Sequence, residues 1–286
     1  MKTDHYLLTI VCTDVAGIVA AVGDFLYRHH GFIVESQQHS DPATGRFFMR
    51  LAFRAAGPGM GTLDAIRAEF RQLAERFGMS WSIDPADARP RVLVAVSKAG
   101  HCLNDLIYLS STGALPIELV GVVSNHLTLA GMAERAGLPF WHLPIAPGER
   151  AAQERALLDR VADVRADLLV LARYMQVLSP EATRALRWRC INIHHSFLPS
   201  FKGARPYHQA YDKGVKIIGA TAHFITDDLD EGPIIDQDVE RVDHAKSPEQ
   251  LIAIGADIEA RVLARAVRLF AERRVLPNGH KTVVFG

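Results

Sequence analysis

Apolar positions over the first 85 residues change their period repeatedly, and each change marks an element. The run from Tyr6 to Cys12 is nearly continuous and reads as a buried strand. After Asp14-Val-Ala-Gly17, apolar residues recur at Ile18, Val22, Phe25 and Leu26, one face of a helix reaching about His30. Residues 32–38 and 46–54 read as strands joined through the turn Asp41-Pro-Ala-Thr-Gly45. Leu63, Ile66, Phe70, Leu73 and Phe77 then follow at spacings of three and four, a second amphipathic helix, and residues 81–83 close the unit as a strand. Strand, helix, strand, strand, helix, strand is the order of a ferredoxin-like split unit.

The periodicity stops at Asp84-Pro-Ala-Asp-Ala-Arg-Pro90, which predicts a linker over 85–90 between a domain at 1–84 and one at 91–286. In the second domain, short apolar runs at 92–96, 117–123, 140–143, 168–171 and 191–193 are separated mostly by helical patterns. Ser247-Pro-Glu-Gln250 opens a long helix to about Arg273, and 281–285 reads as a terminal strand. The expectation is α/β: a small ferredoxin-like α+β domain joined to a doubly wound, mostly parallel sheet, with ligands beyond the carboxyl ends of its strands.

Composition narrows the function without changing the fold. The 286 residues are 49% hydrophobic and 22% charged, with formal net charge zero. Lys and Arg are scattered, so no nucleic-acid or membrane-surface partner is expected, and a small molecule is. No leader and no apolar run of about 18 residues stands out, which predicts a cytoplasmic protein. Cys12, Cys102 and Cys190 are few and far apart, as expected of buried, reduced thiols.

Candidate chemistry centres on Asn192, His194 and Asp230. The first two are two apart in a strand pattern and so share one side of the sheet. Asp230 falls in a loop between apolar runs at 220–225 and 233–235. An amide can donate to an oxyanion, an imidazole can pass a proton to a leaving nitrogen, and a carboxylate can take one from water. Together they suit hydrolysis of an acyl group. In a partly dry pocket the Asp230 pKa is expected to be raised. His194, His195 and His223 invite a metal reading, but neighbours on a strand face opposite ways and no His-Glu-x-x-His helix accompanies them, so no metal is expected. His195 is left between tuning the water site and packing its loop, His223 is expected to orient a neighbour, and His101 and Cys102 stay undecided.

Asn-Ile-His, Leu-Pro-Ser-Phe-Lys-Gly-Ala and His-Phe-Ile-Thr-Asp-Asp-Leu-Asp-Glu-Gly-Pro resemble the active-site signature of the 10-formyltetrahydrofolate enzymes. His195 stands where the formyltransferases commonly have Pro, and with the following Gly-Ala-Arg-Pro-Tyr-His-Gln-Ala the pattern resembles the formyltetrahydrofolate deformylase family. The resemblance implies a formyltransferase-like second domain and hydrolysis of 10-formyltetrahydrofolate to formate and tetrahydrofolate. That activity supplies formate for purine synthesis and balances one-carbon pools, with no cofactor. It also implies a pterin pocket from Met175, Gln176, Val177 and Leu178, and His195 and His223 are further candidates for binding the substrate. Ser97-Lys-Ala-Gly-His-Cys102 lacks the phosphate-cradling loop of the glycinamide ribonucleotide formyltransferases, which favours water as acceptor. A transferase acting on a small phosphorylated amine is the alternative.

Cys-Thr-Asp-Val-Ala-Gly-Ile-Val at the first turn resembles an ACT domain, a regulatory or oligomerisation module. The likeness makes Asp14 and Gly17 candidates for an amino-acid effector site and suggests a homo-oligomer. The plainer reading is that Gly17 permits a tight turn and Asp14 caps the helix. A catalytically inactive ligand sensor is the reading from a different class.

Overall fold

A computed structural model describes residues 5–57, 59–146, 148–199 and 206–286. The chain divides into two compact units, one made of 1–88 with 272–278 and 283–286, the other of 89–271 with 279–282.

The first unit contains β1 (His5–Thr13), α1 (Ile18–Arg28), β2 (Gly31–Asp41), β3 (Arg46–Ala55), α2 (Leu63–Phe77) and β4 (Ser80–Pro85). Its sheet runs β2-β3-β1-β4 and every pairing is antiparallel. The apolar faces of α1 and α2 supply Ile18, Val22, Phe25, Leu26, Ile66 and Phe70 to one core. There Phe70 packs edge-on against Phe25 and Trp81, at 5.1 and 4.9 Å between ring centres.

β1 is buried on both faces, as its nearly continuous apolar run predicts, and β3 is buried on both faces as well, although 46–54 roughly alternates in sequence. The cause lies far along the chain, where Leu276, Val283 and Phe285 pack on Val11 and Phe48. Arg50, itself buried, donates to the Glu272 carbonyl at 3.1 Å, and Asn278 donates to Asp41 at 2.6 Å. The end of the chain, assigned from sequence to the second domain, therefore packs in large part with the first. β4 also runs to Pro85, inside the expected linker.

The second unit has β5 (Arg91–Val96), α3 (His101–Ser111), β6 (Glu118–Ser124), α4 (Ala130–Arg135), β7 (Phe140–His142), α5 (Arg150–Asp163), β8 (Leu168–Leu171), α6 (Pro180–Ala185) and β9 (Cys190–His194). It continues with α7 (Pro206–Asp212), β10 (Ile217–Phe224), β11 (Ile234–Arg241) and α8 (Pro248–Ala271), and β12 (Val275–Asn278) and β13 (Lys281–Val284) end the chain. The sheet order is β11-β10-β9-β8-β5-β6-β7. β7, β6, β5, β8 and β9 are parallel, while β10 and β11 pair antiparallel, so the fold is mixed α/β around a mostly parallel sheet. Leu93 and Ala95 of β5 and Leu169 and Leu171 of β8 lie in one core, and Val92, Val94, Leu168 and Val170 on the other face are buried as well, which is why these strands read as unbroken apolar runs instead of alternating ones.

Candidate active site

The carboxyl ends of β8 and β9 and the loop after β10 surround a cavity of about 290 Å³. It is lined by 173–178, 192–195, 225–230 and His223, among others. The sequence-predicted Asn192, His194, Asp230, His195, His223, Met175, Gln176, Val177 and Leu178 are thus brought together. Asp14 and Gly17 belong to the first unit.

β9 delivers two of these side chains. Asn192 and His194 alternate along it as expected, but the strand ends at His194. Beyond that point the two-residue alternation no longer binds, and His195 also lines the cavity, its ring centre 5.0 Å from that of His194. The expectation that the two histidines face apart is therefore corrected.

Asp230 comes from the 225–230 loop, where it holds a left-handed backbone, φ 57°. That conformation is uncommon outside glycine, and it accompanies a carboxylate turned to β9: Oδ1 lies 3.2 Å from His194 Nδ1 and 3.8 Å from His223 Nε2. Gly232 makes the turn possible, since a Cβ there would stand 1.6 Å from the Phe224 carbonyl oxygen. On the opposite side of the loop, Thr183 of α6 donates to Asp227 Oδ1 at 2.5 Å.

His223 is fixed through both nitrogens. Nδ1 is 2.9 Å from the Phe224 carbonyl oxygen and Nε2 is 3.2 Å from Asn192 Nδ2. His194 differs, because its Nε2 is buried and has no hydrogen-bond partner among the described residues.

The electrostatics depart from expectation at Asp230. Burial raises its pKa, but the hydrogen bonds and positive charge of His194 and His223 outweigh it, and the carboxyl is held well below the usual range. The expected raised pKa is therefore corrected. At His195, burial first, then Arg173 and His194, bring the pKa down to about 4.

The 173–178 loop is held from several sides. Met175 N donates to Ser97 Oγ at 3.0 Å, and Ser97 Oγ donates to Asn125 Oδ1 at 2.7 Å, beyond the ends of β5 and β6. Gln153 and Arg150 of α5 reach Tyr174 and the Val177 carbonyl. Ser179 caps α6 through Ala182 N, as its Ser-Pro-Glu sequence predicts. Within this frame Met175, Val177 and Leu229 stay about half exposed at the cavity, at 59, 49 and 60%, an apolar lining of the kind small-molecule pockets carry.

Sequence reasoning missed Arg173, Thr183 and the 225–229 segment as lining residues. Arg173 left a signal, a lone cation directly after an apolar strand; Thr183 left none, because a helix brings it in. Among the described residues, the His, Cys, Asp and Glu side chains close enough to share a metal are His101, Cys102 and Glu259, not the three histidines considered from sequence. The signature residues 200–205 lie outside the described residues.

A mostly parallel sheet carrying Asn, His and Asp at its carboxyl edge agrees with the match of residues 90–267 to the formyl transferase family, which defines the class. The chain is 48% identical to a formyltetrahydrofolate deformylase from Corynebacterium sp. strain P-1, over 98% of each chain. It is 47% identical to one from Bacillus subtilis strain 168, over 99% of this chain and 94% of the relative. A crystal structure of a formyltetrahydrofolate deformylase from Burkholderia mallei superimposes with TM-score 0.95 at 54% identity, covering 99% of this chain and all of the other. Within the class, the chain belongs to the formyltetrahydrofolate deformylase family.

Proposed function

We propose that this cavity is where the chain carries out the hydrolysis of its family, 10-formyltetrahydrofolate and water going to formate and tetrahydrofolate, with His194 as the proton carrier. The observation that carries the reading is the pairing of His194 Nδ1 with Asp230 at 3.2 Å while Nε2 has no hydrogen-bond partner among the described residues. A carboxylate that fixes the Nδ1–H tautomer leaves the Nε2 lone pair free to accept a proton. Water attacks the formyl carbon, its proton passes to Nε2, and the Asn192 amide donates to the resulting oxyanion. The imidazolium returns the proton to N10 as the C–N10 bond breaks, and formic acid leaves after losing its own proton. Asp230 stays ionised throughout, in keeping with its lowered pKa.

Met175, Gln176, Val177 and Leu178 hold the pterin in this scheme, and no metal or organic cofactor takes part. The first unit serves as an ACT-like regulatory or oligomerisation module. Its topology and the left-handed Gly17 at the start of α1, φ 96°, support that role, and Gly17, with no side-chain cap from Asp14, is open to an amino-acid effector. Three buried free thiols suit the cytoplasm, and no helix among the described residues is long and apolar enough to cross a membrane. Incubation with 10-formyltetrahydrofolate should release formate and tetrahydrofolate in equal amounts with no amine present. A requirement for an amine acceptor, or formylated amine as product, would instead make the chain a transferase.

A further inference from the structure

Behind the reacting groups lies a buried cluster that the mechanism does not use. Glu259 of α8, 2% exposed in its side chain, accepts from Tyr207 Oη at 2.6 Å and lies 2.8 Å from His101 Nε2. Tyr207 lies so close to α8 that a Cβ on Gly255 would sit 2.1 Å from its ring and hydroxyl. Both carboxylate oxygens thus have a short partner. Arg173 is the third neighbour, with Nε 3.4 Å from Glu259 Oε2, but without hydrogen-bond geometry.

Arg173 is therefore under-satisfied. Its Nε and Nη1 are sealed from solvent and have no hydrogen-bond partner among the described residues. Buried N–H groups on a charged side chain are costly when unpaired. Arg173 also holds a left-handed backbone, φ 63°, and lines the same cavity as Asn192, His194 and Asp230. A metal at His101, Cys102 and Glu259 does not resolve the arrangement, because a guanidinium already supplies the positive charge beside Glu259.

We infer that Arg173, steadied by Glu259, is the binding group for the carboxylate released in the reaction, formate. Hydrolysis turns a neutral formyl group into a carboxylate inside this cavity, and the planar fork of a guanidinium matches a carboxylate through paired N–H donors. The Arg173 side chain keeps 19% of its surface exposed and lines the cavity, so formate meets the guanidinium from there. The folate glutamate carboxylates share this chemistry but are carried on a long tail. The inference rests on the hydrolytic reading, yet formate release without formate binding at Arg173 would sink only the inference.

Sodium formate is titrated as a product inhibitor of the full-length enzyme, at constant ionic strength, against the parent and the Arg173→Lys and Arg173→Gln variants. Formate should inhibit the parent, with an inhibition constant about tenfold or more higher in Arg173→Gln and intermediate in Arg173→Lys, while inhibition by tetrahydrofolate stays unchanged. Equal formate inhibition in all three, or none in the parent, overturns the assignment. A raised KM for 10-formyltetrahydrofolate with formate inhibition unmoved also overturns it, giving Arg173 to the glutamate tail. Should the variants fail to fold, the parent labelled with 15N at arginine Nε decides: an exchange-protected Nε–H signal should shift on adding formate, and no shift among such signals overturns the inference.

Discussion

Asn192 and His223 form a directed pair, with Asn192 Nδ2 3.2 Å from His223 Nε2. A carbonyl oxygen can only accept, so the ring nitrogen beside Phe224 O must carry a hydrogen. In the neutral ring, Nε2 is then left to accept from the amide. This fixes which end of Asn192 faces His223 and frees its second N–H for an oxyanion. Asn192→Ala should lower kcat about 10²- to 10³-fold, the loss typical of one oxyanion donor. His223→Phe should lower it less, about tenfold, through misorientation of the amide, with KM little changed in both. Steady-state kinetics check this, and an Asn192→Ala enzyme within twofold of the parent would remove the oxyanion role.

Asp230 pairs with His194 Nδ1 at 3.2 Å and is held in its ionised form. Its carboxyl is held well below the ordinary range by the two imidazoles in spite of burial, so it is ionised at every pH at which the enzyme works. Any loss of activity on the acid side should then lack the temperature dependence of a carboxyl titration. Asp230→Asn leaves the volume but frees the tautomer, and kcat should drop about 10³- to 10⁴-fold, the scale of such a loss in a His–Asp pair. An acid limb with carboxyl character would return the proton-accepting role to Asp230 itself.

The sequence carried the site better than it carried the ends of the units. Asn192 and His194 were legible because strand alternation is a local rule, and Asp230 because its loop is bounded by two apolar runs. Its depressed pKa was not legible, since it depends on two imidazoles from β9 and β10 whose approach to the carboxylate no local rule gives. His195 was misread for a related reason, as no local signal marks where β9 stops and alternation lapses. Burial of β1 and β3 on both faces needed Leu276 and Phe285, more than 200 residues away. Apolar runs tell that a strand is covered, but not by which segment.

His195 makes folding stability depend on pH. Its folded-state pKa, about 4, lies below the ordinary 6.5 because of burial and then the nearby charges of Arg173 and His194. Above pH 6.5 the ring is neutral in both states and nothing is lost. As pH falls from about 6.5 to about 4, the unfolded chain binds the proton and the folded one resists it, so stability declines across that window, by up to about 3 kcal/mol. Urea unfolding midpoints should fall over this range in the parent and fall less in His195→Gln. Parallel curves for the two would show that His195 titrates normally in the folded protein.

Gly232 tests the link between backbone and chemistry. A methyl group there would meet the Phe224 carbonyl oxygen at 1.6 Å and His223 Nδ1 at 3.0 Å, and neither neighbour is a flexible side-chain end. Gly232→Ala should cost about 3 kcal/mol or more, the scale of forced overpacking. It should also lower kcat, because the loop that must yield carries Asp230 and the ring that must shift orients Asn192. Thermal unfolding and kcat measured on one preparation decide the matter, and a variant of normal stability and rate would show that the loop has room to spare.

Phe285 tests where the end of the chain packs. It is buried at 7% exposure in a cluster with Val11, Phe48 and Leu276, so Phe285→Ala removes an aromatic ring from the second face of the first unit's sheet. Loss of such a ring costs about 3 to 5 kcal/mol when the cavity cannot collapse. Hydrogen exchange should therefore quicken at the amides of β1 and β3 while those of β5 and β8 keep their protection. Equal loss in both sheets would mean that the segment stabilises the whole chain, and no loss in β1 and β3 would mean that these strands hold their second face without it.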